Sequence, residues 1–289
     1  MKKRLSILLV LVMIFSLVLT GCGGNEPKKQ DEVGDTGKDA GDNGEVISEG
    51  LQGILDKGKL VMGTSADYPP FEFHAMIDGK DQIVGLDLEI ANHIAEELGV
   101  ELEIKDMDFD NLLGGLTSGM LDIVIAGMNP DPDRLEEVNF TDIYYEANLS
   151  VLIRKTDKDN LKTLEDLEGK GIGVQIGTTQ EKIAQEDIKD SKVKSLSKNP
   201  DIVMNLKTEK IDCAIMETPV AESFAKVNDD LMVVENLIID NKSGGVAIAV
   251  QKGNDELTEK LNEILSDLVS KGLIDKWLIE ADELSSQGL

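Results

Sequence analysis

The chain has 289 residues, 41% hydrophobic content and a formal net charge of −27. That much apolar material excludes a chain disordered throughout and allows one large or two modest domains. So large an excess of acid argues against a nucleic-acid partner and against electrostatic attachment to anionic lipid.

Lys2, Lys3 and Arg4 precede an apolar run over residues 7–19 that only Ser16 interrupts. The run is shorter than the ~20 residues a spanning helix needs, so residues 1–21 read as an export signal. Leu19-Thr20-Gly21-Cys22 follows, and small residues directly before a cysteine resemble the lipobox of bacterial lipoproteins. The resemblance implies a lipidated Cys22 as the mature amino terminus; the alternative is a plain secretory signal cut nearby. Residues 22–50 then form the lipidated cysteine and an acidic linker with almost no apolar residue, a composition that predicts a tether rather than a fold. Its Asp35, Asp39 and Asp42 do not match the spacing of a calcium-ligand loop.

The folded part is expected from residue 51. A short helix carrying Ile54 and Leu55 stops at Gly58, and residues 59–64 read as a strand. Residues 65–73 read as a rigid loop, because Pro69 and Pro70 forbid a regular helix or a central strand there. Phe71 and Phe73 are expected in the core, and Tyr68 is placed to offer its ring to a ligand. Gly85 leads a helix in which Leu86, Ile90, Ile94 and Leu98 fall four apart, with Gly99 as its stop and a strand from residue 100 to 104. His93 on that helix and His74 in a loop have no second histidine or cysteine near them, so both are expected to be structural.

Residues 106–140 carry the densest chemistry. Asp110 or Asn111 can cap a helix whose Leu112, Leu113 and Leu116 face a core; Gly119 ends it, and residues 121–125 read as a buried strand. The loop beyond that strand ends with Arg134, an arginine in a very acidic chain. In open α/β sheets small ligands sit outside the carboxyl ends of strands, where a guanidinium offers a planar fork that matches a carboxylate. The competing reading is a surface salt bridge to Glu136 or Glu137.

The same pattern then repeats. A strand over 149–153 precedes one over 172–176, which leads into Gly177-Thr178-Thr179-Gln180 at a helix start, where backbone N–H groups can meet an anion or simply be capped. A helix over 200–210, a buried strand over 211–216 and Glu217 follow. Cys213, inside that strand and without a partner, reads as an inert core thiol. A strand over 246–250, a helix over 256–271 and a short final helix with Trp277 as packing close the chain. Strands alternating with helices in this order predict the α/β class with parallel sheets.

Tyr68-Pro69-Pro70-Phe71-Glu72-Phe73, Gly85-Leu86-Asp87, Phe109-Asp110-Asn111-Leu112, Ala126-Gly127-Met128 through Arg134, Gly177-Thr178-Thr179-Gln180, and Asp212 through Glu217 together resemble the extracytoplasmic amino-acid-binding proteins of ABC importers, solute-binding family 3. The resemblance spans roughly residues 54–279. It implies a two-lobed periplasmic-binding-protein-like fold of two mixed sheets flanked by helices and joined by two crossing strands. Lobe 1 would hold residues 51–149 and 244–289, and lobe 2 residues 150–243.

By position, the resemblance gives Arg134 the ligand α-carboxylate, helped by Asn129 and by N–H groups of Thr178 and Thr179. Glu217 takes the α-ammonium, Tyr68 and Phe109 wall the side-chain stem, and Ala126 and Gly127 complete the ligand-binding set. Three positions depart from the family: Asn129 stands where serine or threonine is usual, Glu217 where aspartate is common, and Ser65 where several binders of basic amino acids carry an acid. Ser65, Glu72 and Gln175 at the expected pocket end include no cation. That excludes an acidic ligand side chain and points to arginine, lysine or glutamine.

The implied function is delivery of a free amino acid to an ABC importer permease from the outer face of the cell membrane. The protein would act without a cofactor or metal, as a monomer held by lipid on Cys22. A dehydratase-like enzyme on the same scaffold and a ligand-sensing input module are the alternatives.

Overall fold

A computed structural model describes residues 50–287. The export signal, Cys22 and nearly all of the linker fall outside the described residues. In chain order the first run comprises α1 (Gly50–Lys57), β1 (Lys59–Thr64), β2 (Asp67–Tyr68), β3 (Glu72–Ile77), β4 (Lys80–Val84), α2 (Leu86–Leu98), β5 (Glu101–Asp106), α3 (Leu112–Thr117), β6 (Ile123–Val124), α4 (Pro132–Glu137) and β7 (Val138–Phe140). The middle run comprises β8 (Leu149–Arg154), β9 (Gly171–Gln175), α5 (Thr179–Glu186), β10 (Lys192–Leu196), α6 (Asn199–Lys207), β11 (Cys213–Glu217), α7 (Thr218–Val227) and β12 (Leu231–Ile239). The chain closes with β13 (Ala249–Gln251), α8 (Asp255–Ser270) and α9 (Leu273–Ser285).

Two five-stranded sheets, ordered β5-β1-β6-β13-β7 and β10-β9-β11-β8-β12, form the two lobes. They share one plan: three parallel strands, then a fourth antiparallel to both its neighbours, so that the edge strand points the same way as the first three. The first sheet takes β13 from the end of the chain, so the backbone crosses between lobes twice, after β7 and after β12. The two crossings meet through the antiparallel bridge of Tyr145 and Val246. This layout puts the carboxyl ends of β1, β6, β9 and β11 around one cleft.

The periodicity of α2 serves the core as expected. Leu86, Ile90 and Ile94 are fully buried and Leu98 is half-buried against them, each full burial being worth ~1.5–3 kcal/mol. Gly99 ends the helix at φ 68°, a left-handed position that suits glycine.

Several expectations need correction. Parallel pairing holds only among the first three strands of each sheet. Residues 65–73 are not all loop: β2, β3 and β4 make a small antiparallel sheet, in which Phe73 and Ala75 alternate inward. Asn111 does not cap α3 through its side chain, because it already has helical dihedrals (φ −92°, ψ −13°) behind a 3-10 turn at Phe109–Asn111, whereas a capping residue is extended. The lysine-rich edge strand β10 and the bulged β12 escape a search for buried apolar runs. The final helix has 13 residues, with Ile274 and Ala281 buried and Trp277 half-buried against the main core. His93 lies on α2 beside the Trp277 ring, at 6.2 Å between centroids.

Candidate functional site

Each lobe brings residues to the cleft from strand ends. On the first lobe, β1 runs out into Thr64 and Ser65, β2 holds Tyr68, and Glu72 begins β3; β6 runs out into Ala126, Gly127 and Asn129. Gly127 sits at φ 53°, and a Cβ there would come 3.0 Å from the Tyr68 ring, so the close approach needs glycine. Asp131 caps α4 by accepting from the Asp133 N–H at 2.8 Å, with Pro132 in the first turn, and so fixes the turn that carries Arg134. On the second lobe, β9 ends at Gln175 and leads to Thr178, whose hydroxyl caps α5 by accepting from Glu181 N. β11 ends at Glu217.

A small cavity lies between these strand ends, lined by Tyr68, Glu72, Phe109, Ala126, Gly127, Asn129, Gln175, Thr178, Gln180 and Glu217. Nine of the twelve residues predicted from sequence line it. The other three do not: Arg134 and Thr179 are buried and bonded to Asn129, and Ser65 is buried with its hydroxyl unpartnered among the described residues.

Arg134 makes no salt bridge to Glu136 or Glu137. It donates to the carbonyls of Asn129 and Gly177, both at 2.8 Å, and its guanidinium lies 5.3 Å from the centre of the Phe109 ring. Burial lowers its pKa to about 10, with Asp131 opposing. Two of its five N–H donors are thus spent on neutral carbonyls, and no carboxylate pairs with it among the described residues.

The carboxyl groups are left in a similar state. Glu217 is fully buried, and burial pushes its pKa up to about 8. Its Oε2 accepts from Gln180 Nε2 at 2.6 Å, while Oε1 has no partner among the described residues. Glu72 is buried beside Asp87; burial first, and then the charge of Asp87 and the hydrogen bond the two carboxyls share, push it well above the usual carboxylate range. Asp87 itself accepts from Gly127 N and Tyr144 OH, each at 2.8 Å, so of the two acids Glu72 is the one that holds a proton when the cavity is empty.

The lobes are closed on each other through side chains. Thr179 Oγ1 donates to Asn129 Oδ1 at 2.9 Å, and the Tyr68 hydroxyl accepts from Gln180 Nε2 at 3.3 Å and Glu217 N at 3.2 Å. Asp67 accepts from Asn199 at 2.8 Å. Gln180, Asp67 and Asp87 were given no role from sequence. Gln180 and Asp87 do stand inside motifs read there, whereas nothing local marks Asp67. Cys213 is buried, with its thiol pushed up to about 12 by burial. No group of histidine, cysteine or acid side chains among the described residues could hold a metal.

Comparison with known proteins gives a consistent result. The profile of the bacterial extracellular solute-binding proteins, family 3, matches residues 60–280. The arginine-binding extracellular protein ArtP of Bacillus subtilis is 37% identical over 280 residues, which is 96% of either chain. The ABC transporter arginine-binding protein 1 of Escherichia coli is 36% identical over 225 residues, covering 76% of this chain and 90% of its own. Among solved structures, the amino acid ABC transporter substrate-binding protein AbpA of Streptococcus pneumoniae bound to L-arginine superposes with a TM-score of 0.79 at 36% identity, covering 81% of this chain and 98% of that one.

Proposed function

The chain belongs to the bacterial extracellular solute-binding proteins, family 3, and from that premise we propose that its ligand is free arginine. It is a binding protein and not an enzyme: it takes up a free amino acid between two lobes outside the cell and delivers it to an ABC importer. The observation that carries the choice of arginine is the set of ionisable groups left without an opposite charge around the cavity. One buried guanidinium lacks a carboxylate, and two buried carboxyl groups, both pushed toward the protonated form by burial, lack a cation. Arginine supplies one carboxylate and two cationic groups. Arg134 and the N–H groups of Thr178 and Thr179 take the α-carboxylate, Glu217 takes the α-ammonium, and Glu72 with Gln175 and Ser65 takes the guanidinium between Tyr68 and Phe109. Glutamate would bring a second anion to Glu72, and leucine would strand polar groups without bonds. The arginine-binding relatives support the same choice.

A melting-shift panel of the common amino acids tests this. Arginine should stabilise most, with lysine and glutamine behind; a panel led by glutamate, aspartate or leucine would refute it. In the same reading lobe 1 holds residues 51–149 with 244–289 and lobe 2 residues 150–243, which is supported by β13 joining the first sheet from the end of the chain. The lipid anchor on Cys22 is part of the same reading, and Cys22→Ala should release the protein from membranes or leave it unprocessed. The same reading has the protein act as a monomer, which is supported by all cavity-lining residues coming from one chain and which light scattering can check.

A further inference from the structure

Gln180 is held through its amide nitrogen. It is buried in the first turn of α5, and its Nε2 donates to Glu217 Oε2 at 2.6 Å and to the Tyr68 hydroxyl at 3.3 Å, while its Oε1 lies 3.2 Å from Thr179 Oγ1, whose one proton goes to Asn129. An amide has two N–H donors, and both are committed. The Tyr68 hydroxyl also accepts from the backbone N–H of Glu217 at 3.2 Å, so the acid, the amide and the phenol form a closed triangle that joins the two lobes. One carboxylate oxygen of Glu217 is held by a neutral donor, and the other, Oε1, is left without a partner.

We propose that Gln180 is a positioning residue for ligand binding: it orients Glu217 by holding Oε2 and leaves Oε1 for the ligand's ammonium. The proposal rests on the reading above for what Oε1 meets. Its physical basis is the choice of an amide. A lysine at this position would satisfy Glu217 and compete with the ligand, and an apolar side chain would leave Oε2 bare in a buried site. The ionisable groups that share the cavity with Glu217 are Tyr68 on β2 and Glu72 on β3. β9 and its loop contribute the neutral Gln175 and Thr178, the loop after β6 contributes Asn129, and the Arg134 cation from α4 stands beyond Phe109. No cation lies within bonding distance of Glu217 among the described residues, and burial pushes its carboxyl up to about 8. Removing a donor to the charged form must raise that value further.

The experiment uses the full chain and its Gln180→Met variant, which keeps the side-chain volume. The Glu217 carboxyl is followed by carbon NMR without ligand, and arginine affinity by calorimetry, both from about pH 6 to about pH 9. The Glu217 midpoint should rise in Q180M, and arginine should bind about ten- to a hundredfold more weakly at neutral pH, with the loss shrinking as pH rises past the new midpoint. A purely structural role for Gln180 would weaken binding equally at every pH. If Q180M does not fold, Gln180→Leu, which also removes the donor without adding a charge, must raise the midpoint in the same direction. An unchanged Glu217 midpoint in a folded variant overturns the proposal. A wild-type chain that binds no arginine overturns the earlier reading instead, and the ligand-free titration still decides this one.

Discussion

The interior of the cleft and its rim hold the same kinds of charged side chain in opposite states. At the rim, Lys198 pairs with Asp67 at 3.3 Å and Asp108 at 3.1 Å, and Lys182 pairs with Asp131 at 3.0 Å and also with Asp133. In every pair the lysine comes from the second lobe and the acid from the first, so these charges are satisfied by closure itself. Inside, Arg134, Glu72 and Glu217 have no opposite charge bonded to them among the described residues. Only a ligand can complete them. The lesson is a division of labour: buried unmatched charge sets affinity and selectivity, and exposed matched charge adjusts how readily the lobes stay shut.

The largest effect should come from deleting an interior charge. Arg134→Ala leaves the ligand carboxylate buried without its partner, and truncating one half of such a pair usually costs ~2–5 kcal/mol. Calorimetry with arginine should show that loss; near-normal affinity would place the carboxylate elsewhere. A smaller change is expected at the far end of the cavity, where Glu72→Gln removes a charge-assisted bond worth ~1.5–3 kcal/mol for arginine. Glutamine, which brings no cation to that end, should lose much less, so the ratio of the two affinities reads the role of Glu72 directly.

The same interior groups make stability depend on pH in a stated direction. The folded-state pKa of Glu217, about 8, lies above its ordinary value of 4.5. A raised acid pKa means that the folded state binds the extra proton, so this contribution is present below about pH 4.5 and is lost as pH rises through about 8. Glu72 acts with the same sign. Glu217→Gln should therefore flatten the fall in ligand-free stability between those limits, as measured by chemical denaturation at a series of pH values. A slope that does not change would mean that Glu217 is ionised in the empty protein.

Much of this arrangement is legible in the sequence, and the rest is hidden for physical reasons. Arg134 and Glu217 stand out because each follows a buried strand, and a charge at the carboxyl end of a strand in an α/β sheet faces the ligand crevice. Tyr68 shows itself by its two prolines. Gln180 is visible as a letter in a motif but not as a role, because its work depends on Glu217 and Tyr68, which are 37 and 112 residues away. The rim pairs are harder still. Lys198, Asp67 and Asp108 have no local signal in a chain rich in lysine and acid, and only the closure of two lobes brings them together. The edge strand β10, lysine-rich and only half-buried, has no apolar signature to find, since edge strands commonly carry lysine on their exposed side.

The smallest expected effect belongs to that rim, and it is the one that tests the comparison most directly. The Asp131 and Asp67 side chains are largely buried, but Lys182 is about half exposed and Lys198 about a third, so water and salt still screen the pairs and each is expected near the ~0–1 kcal/mol of a surface pair. Lys182→Ala and Lys198→Ala should each weaken arginine binding only slightly. The loss should appear as faster ligand release rather than slower capture, because the pairs form only once the lobes have met. It should also shrink as salt is raised from about 0.05 M to about 0.5 M, whereas the loss in Arg134→Ala, shielded from solvent, should hardly change. Stopped-flow release rates across that salt range separate the two behaviours. If the lysine variants lost as much affinity as Arg134→Ala, or lost it independently of salt, the rim would have to be counted with the interior as part of the binding site itself.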